Sequence, residues 1–163
     1  MQQGSKLPAL GAEIMFVEDE SPAFLDTESQ PCGVPDRQVD HILVIDDDLT
    51  QSEILSHRFG SQGYRVSVAH TCADGVARAQ AEHPDLILLD IGLPDGDGLD
   101  ICSRFSDGES TADIPVIIVS GMEQPDVIRR ARAAGCHYYV RKPYDPNALL
   151  VLSQNAIAES RTW

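Results

Sequence analysis

Five short apolar runs alternate along the chain with longer, helix-like stretches. The runs are HILVID (41–46), YRVSVA (64–69), DLILLD (85–90), IPVIIVS (114–120) and HYYV (137–140). They are continuous and rich in β-branched residues, which predicts strands covered on both faces. Between them the pattern predicts helices around 49–60, 73–83, 98–106, 124–134 and 146–159. In the fourth, Val127, Ile128, Ala131 and Ala134 recur at helical spacing. The last opens with Asp145 as N-cap and Pro146 at the first helical position, a strong start signal. Asp48 with Gln51 offers a capping pair for the first helix. Five βα units in series imply a doubly wound α/β domain, with a five-stranded parallel sheet, helices on both faces and right-handed crossovers. Such a sheet binds ligands outside the carboxyl ends of its strands, so the strand-ending residues are the ones to read for chemistry.

Composition narrows the class. The 163 residues are 42% apolar, enough for one domain with a real core. The formal net charge is −14, divided as −6 over residues 1–40 and −8 over 41–163. So acidic a surface repels phosphate backbones, and no direct nucleic-acid binding is expected. Cys32, Cys72, Cys102 and Cys136 form no C-x-x-C pair and read as free thiols in a reducing cytosol. The scattered histidines give no zinc-binding spacing. No apolar run reaches the roughly 18 residues of a membrane span, and the N-terminus does not read as a secretory signal, so a cytoplasmic location is expected.

The strand ends carry the chemistry. The first strand ends in Asp46-Asp47-Asp48, the third in Asp90 and the fourth in Ser120, and the fifth runs into Lys142-Pro143. Taken singly, each is an ordinary turn, cap or surface residue; the fold gathers all of them at one edge. Carboxylates within about 5 Å repel by roughly 3 kcal/mol per pair at an effective dielectric near 20. A hard divalent cation removes that cost, and Mg2+ takes one or two carboxylates, waters and phosphate oxygens. Lys142 and the Ser120 hydroxyl then face a developing phosphoryl charge. Asp90 is the carboxylate nucleophile of the aspartyl-phosphate kind. The turn-rich segment Ile91–Gly98 lets the backbone fold close over the site.

Four blocks resemble the signatures of the response-regulator receiver family: Ile42–Asp48 (ILVIDDD), Leu86–Gly98 (LILLDIGLPDGDG), Val116–Gly121 (VIIVSG) and Tyr138–Tyr144 (YYVRKPY). The resemblance covers roughly residues 41–160 and implies the (βα)5 flavodoxin-like fold of chemotaxis regulators. It implies Asp46 and Asp47 as the acidic pair for Mg2+, Asp90 as phosphoacceptor and metal ligand, and the Gly92 backbone carbonyl as a further ligand. It further implies that Lys142 contacts the phosphoryl group ahead of a cis bond to Pro143. Ser120 would be the hydroxyl that turns toward that group, and Tyr139 the aromatic switch that swings with it. Gly92 departs from the larger residue often found at its position, which bears on the lifetime of the phosphorylated state. The phosphoryl donor would be a sensor histidine kinase or a histidine phosphotransfer protein, and no classical enzyme is expected. With no output domain after the core, a stand-alone regulator is expected.

Two other readings compete. Asp46-Asp47-Asp48-Leu49-Thr50 also fits the D-x-D-x-T motif of haloacid-dehalogenase-type phosphatases, with Asp46 as nucleophile and Asp48 as acid/base. That reading needs a further acidic pair beyond the lysine, where only Asp145 and Glu159 follow, and gives Asp90 no role. The other is a pseudo-receiver that binds partners without phosphorylation. For output, the resemblance points to the face of the fourth helix, fifth strand and fifth helix. There Arg129, Arg130 and Arg132 offer either a solvated surface or a docking face for an acidic partner or a second copy. Residues 1–40 read as an N-terminal extension, flexible or loosely docked, ahead of a receiver domain at 41–160. Within it Ile14–Glu20 echoes the first strand, and residues 14–17 adding to a sheet edge is the alternative.

Overall fold

The computed structural model describes residues 38–122 and 124–162. Cys32, the Ile14–Glu20 echo and the rest of the extension up to residue 37 lie outside the described residues. Five strands, β1 (His41–Ile45), β2 (Arg65–Ala69), β3 (Leu86–Leu89), β4 (Val116–Ser120) and β5 (Tyr138–Arg141), form one sheet in the order β2-β1-β3-β4-β5. Every pairing in it is parallel. Five helices follow the strands: α1 (Leu49–Ser61), α2 (Cys72–Glu82), α3 (Gly98–Asp107), α4 (Pro125–Ala133) and α5 (Pro146–Ser160). Between β3 and α3, Gly92–Leu93 pairs antiparallel with Gly96–Asp97 in a two-residue ladder that the hydropathy pattern did not announce.

Strand side chains alternate between faces, and the core divides accordingly. Leu43, Ile45, Ile87, Leu89, Val116 and Ile118 pack with residues of α2, α3 and α4, including Val76, Cys102, Phe105 and Val127. Ile42, Val44, Leu86, Leu88, Ile117 and Val119 pack on the other side with Leu55 and Phe59 of α1 and Leu149, Ala156 and Ile157 of α5. Coverage on both faces holds for β1, β3 and β4, which are buried throughout. It fails for β2 and β5, which are only partly buried because they are the sheet edges and lack a neighbour on one side.

The helix starts follow the expected cap chemistry with one difference. Asp145 caps α5 by accepting the Asn147 N–H at 2.8 Å, with Pro146 in the first turn. Asp48 caps α1 through the Thr50 and Gln51 N–H groups. The reciprocal bond of a capping box does not form with Gln51, because the Asp48 N–H goes to Asp46 Oδ1 at 2.9 Å. Among the described residues no helix is long and apolar enough to cross a membrane.

Candidate functional site

Strand order reverses between β1 and β3, and the two key acids stand on either side of that crevice. The ladder runs one residue past each strand. The Asp46 N–H bonds the Ala69 carbonyl at 3.0 Å, the Asp90 N–H bonds the Ile45 carbonyl at 2.9 Å, and the Lys142 N–H bonds the Ser120 carbonyl at 2.9 Å. These bonds place Asp46, Asp90 and Lys142 at one end of the sheet. One carboxylate oxygen from each of Asp46, Asp47 and Asp90 lies within 4.8 Å of the others. Lys142 Nζ donates to Asp46 Oδ2 at 3.0 Å and to Asp90 Oδ2 at 2.9 Å. The Lys142–Pro143 peptide is cis.

The three consecutive aspartates differ sharply in surroundings. Asp46 is buried at 3% exposure, while Asp47 and Asp48 are exposed. Burial pushes the Asp46 carboxyl above its ordinary value, against the Asp48 N–H and Lys142, which pull it down. Burial also works against the Lys142 ammonium, but its bonds to Asp90 and Asp46 outweigh it and raise the lysine pKa. Asp46 therefore keeps its charge at a desolvation cost that a second cation would lower. Asp48, the acid/base of the phosphatase reading, is instead occupied as the α1 cap and is absent from the cluster.

Ser120 ends β4 fully buried, and its Oγ accepts the Met122 N–H at 3.3 Å. Half-buried Tyr139 donates its hydroxyl to the Met122 carbonyl at 2.5 Å. Both residues expected to switch thus hold the backbone of Met122, one from each side of its peptide units. Gly92 donates its N–H to Asp90 Oδ1 at 3.1 Å, and a Cβ there would lie 4.0 Å from that oxygen. Gly98 is needed for close approach, since a Cβ would come within 2.5 Å of the Asp90 carbonyl oxygen.

Three neighbours escaped the sequence reading. His70 gives its Nδ1–H to the Asp46 carbonyl at 2.8 Å. Asp95 accepts the Cys72 and Ala73 N–H groups, and Asp97 accepts Arg130 at 3.0 Å. A lone histidine after a strand and two acids in a turn carry no signal of long-range partners. Of the arginines expected on an output face, Arg129 pairs with Asp126 inside α4, while Arg130 is tied to Asp97 across to the start of α3.

A five-stranded doubly wound sheet with an acid cluster and a lysine at its carboxyl edge defines a class, and the comparisons with known proteins agree with it. The response regulator receiver domain model matches residues 42–154, and the chain belongs to that family. It is 38% identical over 109 residues to the DNA-binding dual master transcriptional regulator RpaA of Synechocystis, covering 67% of this chain but 45% of RpaA. It is 34% identical to Protein PilH of Pseudomonas aeruginosa, covering 67% of this chain and 90% of PilH. Among solved structures, a CheY-like receiver domain protein from Methanospirillum hungatei superposes with a TM-score of 0.73 at 27% identity. That match covers 76% of this chain and 98% of the other.

Proposed function

We propose that this receiver domain takes a phosphoryl group onto Asp90 in a Mg2+-dependent reaction, and that the modified domain changes the surface it shows to partners. The observation that carries this reading is the convergence of Asp46, Asp47 and Asp90 with Lys142 bonded to two of them. All-oxygen donors of formal charge −3 suit a hard divalent cation. Asp46, Asp47, Asp90 and the Gly92 carbonyl would hold Mg2+, which when bound supplies charge neutralisation for the incoming phosphoryl group. Lys142 offers a fixed positive charge beside the Asp90 oxygen, and Ser120 a hydroxyl at the neighbouring strand end. The donor is a sensor histidine kinase or a histidine phosphotransfer protein. Ser120 and Tyr139, both on Met122, couple the site to the α4-β5-α5 face. That face would bind a partner or a second copy of the chain, with Arg129 and Arg130 taking part.

The domain is proposed to run over 41–160 with residues 1–40 as its extension, in keeping with the family match at 42–154. The regulator is proposed to be stand-alone, with the match to 90% of PilH in favour of a single receiver domain, and cytoplasmic, and the net charge of −14 supports contacts with proteins and not nucleic acid. Mass spectrometry after treatment with acetyl phosphate and Mg2+ tests the reading. The expected result is a gain of one phosphoryl group that chelator prevents and Asp90→Asn abolishes. An unmodified wild type would support the pseudo-receiver, and an acyl phosphate mapped to Asp46 the phosphatase.

A further inference from the structure

We propose that Asp95 is a positioning residue of the cation site: by binding the start of α2 it holds the segment after β3 so that Gly92 stays beside Asp90. The inference rests on the magnesium reading above and concerns what keeps that site in shape.

The chain leaves β3 at Asp90 and enters α3 at Gly98. Its two ends are fixed by close approach: Gly92 N–H to Asp90 Oδ1 at 3.1 Å, and Gly98 so near that a Cβ would sit 2.7 Å from the Ile91 Cα. Between them Leu93 is buried in the core and pairs with Gly96, and the tip beyond it, Pro94-Asp95-Gly96, is exposed. What holds it is polar. Asp95 Oδ1 accepts the Cys72 N–H at 2.7 Å and Oδ2 accepts the Ala73 N–H at 3.0 Å, so both oxygens are used. Those two donors belong to the first turn of α2, where intrahelical partners are missing and the helix dipole favours an anion. Gly96 lies flat against the same turn, with a Cβ position 3.2 Å from Cys72 Sγ. The helix's own cap, Thr71, serves a different donor, the Asp74 N–H. The two backbone bonds hold the Asp95 carboxyl below its ordinary value.

The start of α2 is itself tied to the acid pocket, because His70 donates to the Asp46 carbonyl at 2.8 Å. Asp46 on one wall and Gly92 on the other are thus both referenced to one helix terminus. On the far flank Asp97 caps α3 through the Leu99 N–H and binds Arg130 of α4. Loss of Asp95 leaves the segment held by Leu93 in the core and by that second stake, while its tip is free to lift from α2 and to loosen Gly92 through the Gly92–Asp97 and Leu93–Gly96 pairing.

Asp95→Ala, Asp95→Asn and a charge control, Asp100→Ala, are compared with wild type by calorimetric Mg2+ titration. The initial rate of phosphorylation by acetyl phosphate is measured in parallel at graded Mg2+. Asp100 is an exposed acid in the first turn of α3. Asp95→Ala is expected to bind Mg2+ about tenfold more weakly, the low end of what outer-shell partners contribute to metal affinity. Its rate returns to the wild-type level at saturating Mg2+. Asp95→Asn keeps one acceptor oxygen for α2 and falls between, and Asp100→Ala matches wild type. Wild-type Mg2+ affinity in Asp95→Ala, an equal loss in Asp100→Ala, or a rate that saturating Mg2+ does not restore overturns the positioning role alone. A wild type with neither Mg2+ heat nor phosphoryl gain overturns the site reading and this role together.

Discussion

His41, the first residue of β1, is buried and sits in a chain of polar partners that fixes its tautomer. Arg65 has only donors to offer, so its contact with Nδ1 at 3.2 Å makes that nitrogen the acceptor. The proton then sits on Nε2, facing Ser67 Oγ at 2.7 Å, and the Ser67 hydroxyl passes on to Glu82 Oε2 at 2.7 Å. A second proton on the ring would set Nδ1–H against the Arg65 guanidinium. Burial, and then Arg65, lower the His41 pKa from its ordinary 6.5, against the opposing pull of Glu82 and Asp85. With the folded value depressed, the unfolded chain takes the proton first. This contribution to stability is complete above the ordinary value and is lost as pH falls from there toward the folded one. Glu82, held low chiefly by the Ser67 hydroxyl, loses its own contribution only below 4.5. The melting temperature is therefore expected to begin falling below about pH 6.5, and His41→Gln to remove that first decline. A wild-type midpoint that is level between about pH 7 and 5 contradicts it.

Among the helices, α4 is held least. It buries only Val127 and Ala131, and its N-cap Gln124 makes no side-chain bond, whereas Asp48, Thr71, Asp97 and Asp145 all cap their helices. A helix with little buried area and a weak start opens at low free energy, which suits an element that a distant charge has to bias. Its exposed side carries Arg129 at 81% exposure, and α5, on the other face of the sheet beyond β5, has no charged residue from Pro146 to Ala158. Arg129→Glu touches no other element, while Arg130→Glu also cuts the tie to Asp97. Both are expected to abolish phosphorylation-promoted self-association or partner binding in sedimentation experiments, with phosphorylation of Asp90 intact. Unchanged association in both variants would count against the docking face.

At the scale of the molecule, the most buried carboxylate among the described residues, Asp46, sits where three acids of an acidic protein meet. After Lys6, Lys142 is the only lysine in the chain, and it is bonded to Asp46 and Asp90. Removing it as Lys142→Ala leaves the Asp46 charge buried without its partner, at a cost of about 1–3 kcal/mol in chelator. On the proposed function Mg2+ would bind the folded state through the same carboxylates, so it is expected to raise the melting temperature of both proteins and to recover part of the variant's loss. A Lys142→Ala midpoint equal to wild type in chelator, measured by thermal melting, would mean that the lysine does not offset the crowding of the acids.

Most of the sheet and the types of residue at its edge were legible along the chain. HILVID, DLILLD and IPVIIVS are continuous because their strands are central, and continuity is a local property. Position in the sheet is not, and the exposed faces of β2 and β5 follow from their being edges. Nor do three identical neighbours, Asp46, Asp47 and Asp48, announce their separate fates. The ladder bond from Asp46 to Ala69 draws the first inside, the second stays in solvent within 4.8 Å of Asp90, and the third turns away to cap α1. The amino-acid order determined the elements, their succession and the acids, hydroxyl and lysine at the strand ends, since these depend on periodicity and turn chemistry. Tertiary structure alone decided which oxygens meet, how Lys142 divides itself between two carboxylates, and that Asp95 and Arg130 stake one loop to two helices. Those contacts join residues 22 to 96 positions apart, where no local pattern records them.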